Sequence, residues 1–275
     1  MKILSVENIR ALDEHTIHYE PVSSLDLMER AAMAFCHWFI GIFPPEYCSV
    51  VVFCGPGNNG GDGLAIARIL HRKFYPVKIY ICETGAAKSK DFSQNLERLP
   101  AFSALNPIPL NPGDAFPPLP SGAILIDAIF GSGLKRPVAG YWADLISYLN
   151  KSDCTIAAVD VPSGLFADRH SEGPTIQANY TFCFELPKLA FLLPENHQAT
   201  GEWFVESIGL DKKFMDSLPT NNHYVDRQSI LPLVKSRSKY SHKGTFGHAL
   251  LWVASHGKTG AAVLAARATL RAGAG

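Results

Sequence analysis

Val50-Val51-Val52-Phe53-Cys54 passes without a polar break into Gly55-Pro56-Gly57-Asn58-Asn59-Gly60-Gly61-Asp62-Gly63, and Leu64-Ala65-Ile66-Ala67-Arg68-Ile69-Leu70 follows. A short, mostly β-branched apolar run reads as a strand buried on both faces. The apolar residues beyond the glycines recur at helical spacing, so a helix is expected from about Gly63 to Phe74, with Pro76 ending it. Strand, glycine-rich turn and helix in that order make half of a parallel crossover unit. Glycine lets backbone approach a ligand closely. Asn58, Asn59 and Asp62 add two amides and a carboxylate, which a plain phosphate loop does not need.

The same alternation fills most of the chain. Apolar runs at 77–82, 123–130, 154–161, 180–184 and 201–206 predict further core strands. Helices are expected over 5–19 and from 24 to about 41, with Ser5 and Ser24 as caps. Others are expected over 88–99 and 140–150, with a short one at 188–193. The proline-rich stretch 100–122 reads as irregular with one short strand. Continuously apolar strands separated by helices predict an α/β fold, a Rossmann-like three-layer αβα sandwich with a mostly parallel sheet. That domain is expected to span 1–215, with a linker at 216–240. A strand at 247–254 and a helix at 261–272 then start something new. One strand and one helix cannot bury an independent core.

Composition removes several classes of function. The 275 residues carry 25 basic and 25 acidic side chains, with no basic stripe for nucleic acid and no polybasic run for a membrane surface. No apolar run is long enough to span a bilayer and no signal-peptide core opens the chain, so a cytoplasmic protein is expected. The six cysteines form no C-x-x-C pair and read as free thiols, mostly buried. The ten histidines show no metal spacing; His15 and His18 read as helix surface.

In open parallel sheets, ligands bind beyond the carboxyl ends of the strands. Three core strands end there in polar, glycine-containing loops. The first carries Asn58, Asn59 and Asp62. The second has Asp127 and then Gly131-Ser132-Gly133-Leu134-Lys135-Arg136-Pro137, and the third has Asp160 followed by Pro162-Ser163-Gly164. Asp127 and Asp160 lie in apolar strands. Such a carboxylate either caps the glycine turn that follows it or, in a partly dry cleft, works as a general acid or base. Oxygen donors from Asn, Asp and Ser suit a hard cation. Lys135 and Arg136 are read as phosphate-binding or proton-transferring groups rather than solvated surface charges. Gly55, Gly57 and Gly60 also fit a dinucleotide fingerprint, with Glu83 at a later strand end. A carboxylate beside the helix start would repel a pyrophosphate bound there, which argues against that use.

The segments 55–63, 127–134 (Asp-Ala-Ile-Phe-Gly-Ser-Gly-Leu) and 159–164 (Val-Asp-Val-Pro-Ser-Gly) together resemble the YjeF N-terminal domain family, the NAD(P)H-hydrate epimerases. The early helix Ser-Ser-Leu-Asp-Leu-Met-Glu-Arg-Ala-Ala at 23–32 fits the same family, and the resemblance covers roughly 1–215. It implies an isomerase that interconverts the R and S forms of hydrated NADH or NADPH for coenzyme repair. It implies that Asn58, Asn59, Gly60, Gly61 and Asp62 line the substrate site, with Gly131, Ser132, Gly133, Leu134, Lys135, Arg136 and Pro137 as further contacts. Asn59, Asp127 and Ser163 are implied as ligands of a potassium ion. Asp160 is implied as the substrate-contacting catalytic carboxylate, and Lys135 stands where the family often has a basic residue.

The stretch 240–247 (Tyr-Ser-His-Lys-Gly-Thr-Phe-Gly), with Gly260-Ala261-Ala262, is similar to the start of the ADP-dependent NAD(P)H-hydrate dehydratase domain, of ribokinase-like fold. The expectation is an N-terminal epimerase followed by a fragment of that domain, a parent protein cut short. ADP or ATP would then serve only the absent dehydratase part. Two other readings remain at this stage. An NAD-dependent dehydrogenase would need a His or a Tyr–Lys pair at a hydride-acceptor site, which is not found. A non-catalytic nucleotide-derivative binding or scaffold protein would be expected to lack the intact set of polar loop residues. The apolar second helix, with Met33, Phe35, Trp38 and Phe39, fits a homo-oligomer surface and core packing equally well.

Overall fold

The strands are apolar runs too hydrophobic to leave either face in water, and the chain covers both faces. The computed structural model describes residues 1–45, 48–99, 105–234, 236–253 and 255–274. In chain order the elements are β1 (Lys2–Ile3), α1 (Val6–Tyr19), α2 (Ser24–Ile42), β2 (Val50–Cys54), α3 (Asn58–Arg72), β3 (Val77–Cys82), α4 (Lys90–Arg98), β4 (Ile108–Leu110), β5 (Ile124–Ala128), α5 (Tyr141–Asn150), β6 (Thr155–Val159), β7 (Tyr180–Phe184), α6 (His197–Thr200), β8 (Glu202–Glu206), α7 (Lys212–Ser217), β9 (Asn222–His223), α8 (Arg227–Ile230) and α9 (Gly260–Ala272). Seven strands form one sheet in the order β4-β3-β2-β5-β6-β7-β8, and every pair in it is parallel.

Alternate residues of each strand feed two separate cores. Val50, Val52, Ile124 and Ile126 pack with Phe35 and Phe39 of α2 and Leu64 and Ile66 of α3. Val51, Phe53 and Leu125 pack on the other face with Leu145, Ile146 and Leu149 of α5. Burying each such side chain contributes about 1.5–3 kcal/mol. This is the three-layer αβα sandwich expected from the alternation of apolar runs. Strand order reverses between β2 and β5, because the chain builds outward to β4 on one side and to β8 on the other. A crevice at such a switch point is where α/β sheets bind ligands.

Several local expectations are corrected. α3 starts at Asn58 rather than Gly63, so the glycine-rich segment is its first turns. The cap of α2 is Ser23, which accepts from the Asp26 amide, while the Ser24 hydroxyl reaches Asp91. Phe35 and Phe39 are fully buried in the core, which leaves Met33 as the exposed apolar residue of that quartet. His15 is not simple helix surface: it stacks on Phe214 at 3.8 Å and lies 3.5 Å from Asp211.

The chain divides into two compact units, Met1–Tyr224 and Val225–Gly275. The first runs beyond the expected end at 215. The 216–224 stretch, read as linker, supplies β9, which pairs antiparallel with β1. In the second unit α9 forms as expected, but 247–253 carries no strand; Ala254 lies outside the described residues. A strand's N–H and C=O groups need a neighbouring strand, and 247–253 has none among the described residues. Among the described residues no disulfide joins any of the six cysteines, and Cys36, Cys54, Cys82 and Cys183 are buried. Among the described residues no helix is long and apolar enough to cross a membrane.

Candidate active site

β2 and β5 leave the sheet side by side, and their ends are locked backbone to backbone. The Gly55 amide donates to the Ala128 carbonyl at 2.9 Å. A Cβ on Gly60 would stand 1.7 Å from the Gly55 carbonyl oxygen. Only glycine lets the first turn of α3 sit that tightly on the end of β2. Gly55 and Gly60 therefore bring backbone against backbone. What they position is Asn59. Its amide rests against Gly131, whose Cβ would come within 3.1 Å of the Asn59 Cγ. Both Oδ1 and Nδ2 of Asn59 are buried without a hydrogen-bond partner among the described residues. A buried amide with neither end satisfied costs on the order of 1–3 kcal/mol per group, so it marks a place shaped for something else to bind.

Asp127, 2% exposed, sits near the end of β5. Its carboxylate accepts from the Ser163 amide at 2.7 Å, the Ser163 hydroxyl at 2.5 Å and the Ile129 amide at 3.3 Å. Ser163 Oγ accepts in turn from the Phe130 amide at 2.8 Å. Burial pushes the Asp127 carboxyl up to about 6, against the opposing pull of these bonds. Asn59, Asp127 and Ser163 thus converge around the Phe130–Gly131 backbone, one from each of the three loops. Among the described residues no group of three or more His, Cys, Asp and Glu side chains could hold a metal. The oxygens gathered here come instead from an amide, a hydroxyl and a single carboxylate, a set suited to a weakly bound hard cation.

Asp160 follows directly on β6 and holds a backbone φ of 61°. That left-handed conformation is uncommon outside glycine, though Asp and Asn tolerate it best. Its amide donates to the Phe182 carbonyl at 2.8 Å. Its Oδ1 lies 3.0 Å from Lys188 Nζ. Lys188 is only 2% exposed. Its ammonium also reaches the carbonyls of Leu186 and Phe184 at 3.2 and 3.3 Å and Cys183 Sγ at 3.2 Å. Burial works against that charge, but Asp160 and Cys183 outweigh it, and the Lys188 pKa ends above its usual value.

Two more carboxyls feel Asp160. Asp62, on α3, is held well above the usual carboxylate range by burial and by the charges of Asp160, Asp13 and Asp91. Asp13, on α1, is raised to about 7, by burial first and then by Asp160, with Lys188 pulling the other way. α1 also touches the second loop, since Arg10 Nη2 lies 2.8 Å from where a Cβ of Gly133 would be. The 131–137 loop is otherwise mostly open. Lys135, Arg136 and Pro137 are exposed, and the Lys135 carbonyl accepts from Arg169 at 2.7 Å. The cation paired with Asp160 is Lys188, not Lys135. Lys188 carried a signal in the sequence, a lone charge among Leu186, Pro187, Leu189 and Ala190. Asp13 carried none, being one of several charges on an amphipathic helix.

A doubly wound α/β domain with a polar site at its switch point is the class that this geometry defines. Residues 24–190 match the family described as YjeF-related protein N-terminus. The chain is 32% identical over 260 residues to the bifunctional NAD(P)H-hydrate repair enzyme Nnr of Coxiella burnetii, covering 92% of this chain and 51% of that one. It is 35% identical over 208 residues to the NAD(P)H-hydrate epimerase of Oenococcus oeni, covering 75% of this chain and 96% of that one. The crystal structure of yeast ynu0 superposes with a TM-score of 0.64 at 24% identity, covering 83% of this chain and 98% of that one, a likeness of fold. The chain spans about half the length of its bifunctional relatives. It belongs to the YjeF N-terminal family.

Proposed function

We propose that residues 1–224 form an NAD(P)H-hydrate epimerase that interconverts the R and S forms of hydrated NADH or NADPH. Family membership supports the reaction class, and the observation that carries it is the Asp160–Lys188 pair at the open edge of the sheet. In the substrate, the hydrated ring carbon bears a hydroxyl beside the ring nitrogen. Loss of that hydroxyl, or opening of the ring, gives a planar centre that can be attacked from either face. Asp160 gives and takes the proton in both directions. Lys188 fixes the carboxylate and keeps its second oxygen free for substrate. Asn58, the backbone of 60–61, Asp62 and the 131–137 loop line the coenzyme, with Lys135 and Arg136 suited to its phosphates.

Potassium fits the donor set of Asn59, Asp127 and Ser163, because the buried Asn59 amide has no partner among the described residues. When bound, the ion would supply positive charge beside the coenzyme and satisfy that amide. Dehydratase activity, with its ADP or ATP, is not assigned to the second unit. Epimer exchange followed by NMR on freshly made hydrate, with and without potassium, tests the reading. Asp160→Asn keeps the side-chain size and tolerates the same backbone conformation. Its exchange rate is expected to fall by about 100-fold or more while the fold persists; a normal rate in that variant overturns the assignment.

A further inference from the structure

The charges around Asp160 do not balance by themselves. Lys188 is the one buried ammonium among the described residues; Asp160 and Asp13 feel its charge, and Asp62 feels Asp160 and Asp13. Such a cluster approaches neutrality only by holding protons on the carboxyls left unpaired. Both routes to a planar centre need this. Each requires one group that enters carrying a proton and one that enters without.

We propose that Asp13 is a second proton-carrying residue of this site, working beside Asp160; the inference rests on the epimerase reading. Three observations support it. α1 borders the site directly, with Arg10, one turn before Asp13, against Gly133 of the second loop. α1 is held in that place, because the Val6 amide donates to Asp168 at 3.1 Å and Leu12 packs on Leu27 and Leu186. Asp13 is partly open to solvent, so its proton can exchange. The charged groups facing it are Asp160 after β6, Lys188 and Glu185 after β7, Asp62 on α3 and Glu14 on its own helix. Burial first, then Asp160, bring Asp13 to about 7 against the pull of Lys188, close to neutral pH, whereas Asp62 is held well above its usual range.

On the dehydrative route the carbon–oxygen bond breaks with its electron pair on oxygen. Asp13 gives that oxygen its proton and water leaves. The ring-nitrogen lone pair becomes the second bond to the now planar carbon. Water then adds to the other face, the C=N pair returns to nitrogen, and the Asp160 carboxylate takes the surplus proton. Asp160 releases that proton to solvent and Asp13 takes one up, which resets the site.

The test is Asp13→Asn in the full chain, with Glu7→Gln on the same helix as a control. Asp13→Asn is expected to lower kcat for epimer exchange by about 100-fold with little change in KM, and to remove the limb near neutral pH from the rate profile. Carboxyl-labelled NMR is expected to give a signal titrating near 7 in the unmutated protein and absent from Asp13→Asn. A folded Asp13→Asn protein with unchanged kcat and unchanged pH profile overturns this inference alone. So does an Asp13 signal that titrates in the ordinary carboxylate range. An unmutated protein inert toward the hydrate brings down the epimerase reading, and this inference with it.

Discussion

Lys188 carries its ammonium into an interior where an unpaired charge would cost several kcal/mol, and Asp160 makes that tolerable. The arrangement is asymmetric in its consequences. Lys188→Met removes one partner and leaves Asp160 beside Asp62 and Asp13 with no cation. The expected loss is about 3–5 kcal/mol in urea unfolding, with epimer exchange largely abolished. Combined with Asp160→Asn, the stability cost is expected to fall below the sum of the two single changes, because each mutation removes the same contact. Asp127 and Asp160 were legible in the sequence because a carboxylate within an apolar strand stands out. Lys188 stood out by the same rule, but its neighbours read as a short helix, where a lysine is ordinary. Asp13 was illegible because its importance lies in what α1 packs against, which no local spacing records.

At the scale of elements, the first turn of α3 decides where Asn59 and Asp62 point. Glycine is a poor helix former, so 58–63 reads as loop from propensity alone. Tertiary packing overrides that weak preference, because the glycines allow contacts that a side chain would forbid. Gly60→Ala would place a methyl group where the Gly55 carbonyl already is, and α3 must move off β2. The expected cost is about 1–3 kcal/mol or more, read as a lowered Tm together with impaired epimer exchange. Gly57→Ala meets nothing within 4 Å and is expected to leave Tm unchanged. The strand expected at 247–254 fails for the opposite reason. Its apolar pattern is sound, but a strand is a relation between segments, and no partner stands beside 247–253 among the described residues.

For the whole molecule, sheet class and layer order followed from alternating apolar runs, whereas the domain end did not. The pairing of β1 with β9 joins residues more than 200 positions apart and leaves no local trace. The four apolar cores among the described residues lie within the first unit. A protein of residues 1–224 is therefore expected to unfold cooperatively and to retain epimer exchange at the full-chain rate; loss of cooperative unfolding, followed by far-UV circular dichroism, would refute this. The seam between β1 and β9 has a consequence for how such a domain spreads among genes. The Met1 amino group and carbonyl bond to the Tyr224 carbonyl and amide, both at 2.8 Å, so the unit's two ends meet at one point. A domain closed in this way can acquire a downstream neighbour by gene fusion without opening its sheet. The same architecture can then serve as a free-standing protein in one lineage and as the leading half of a longer polypeptide in another.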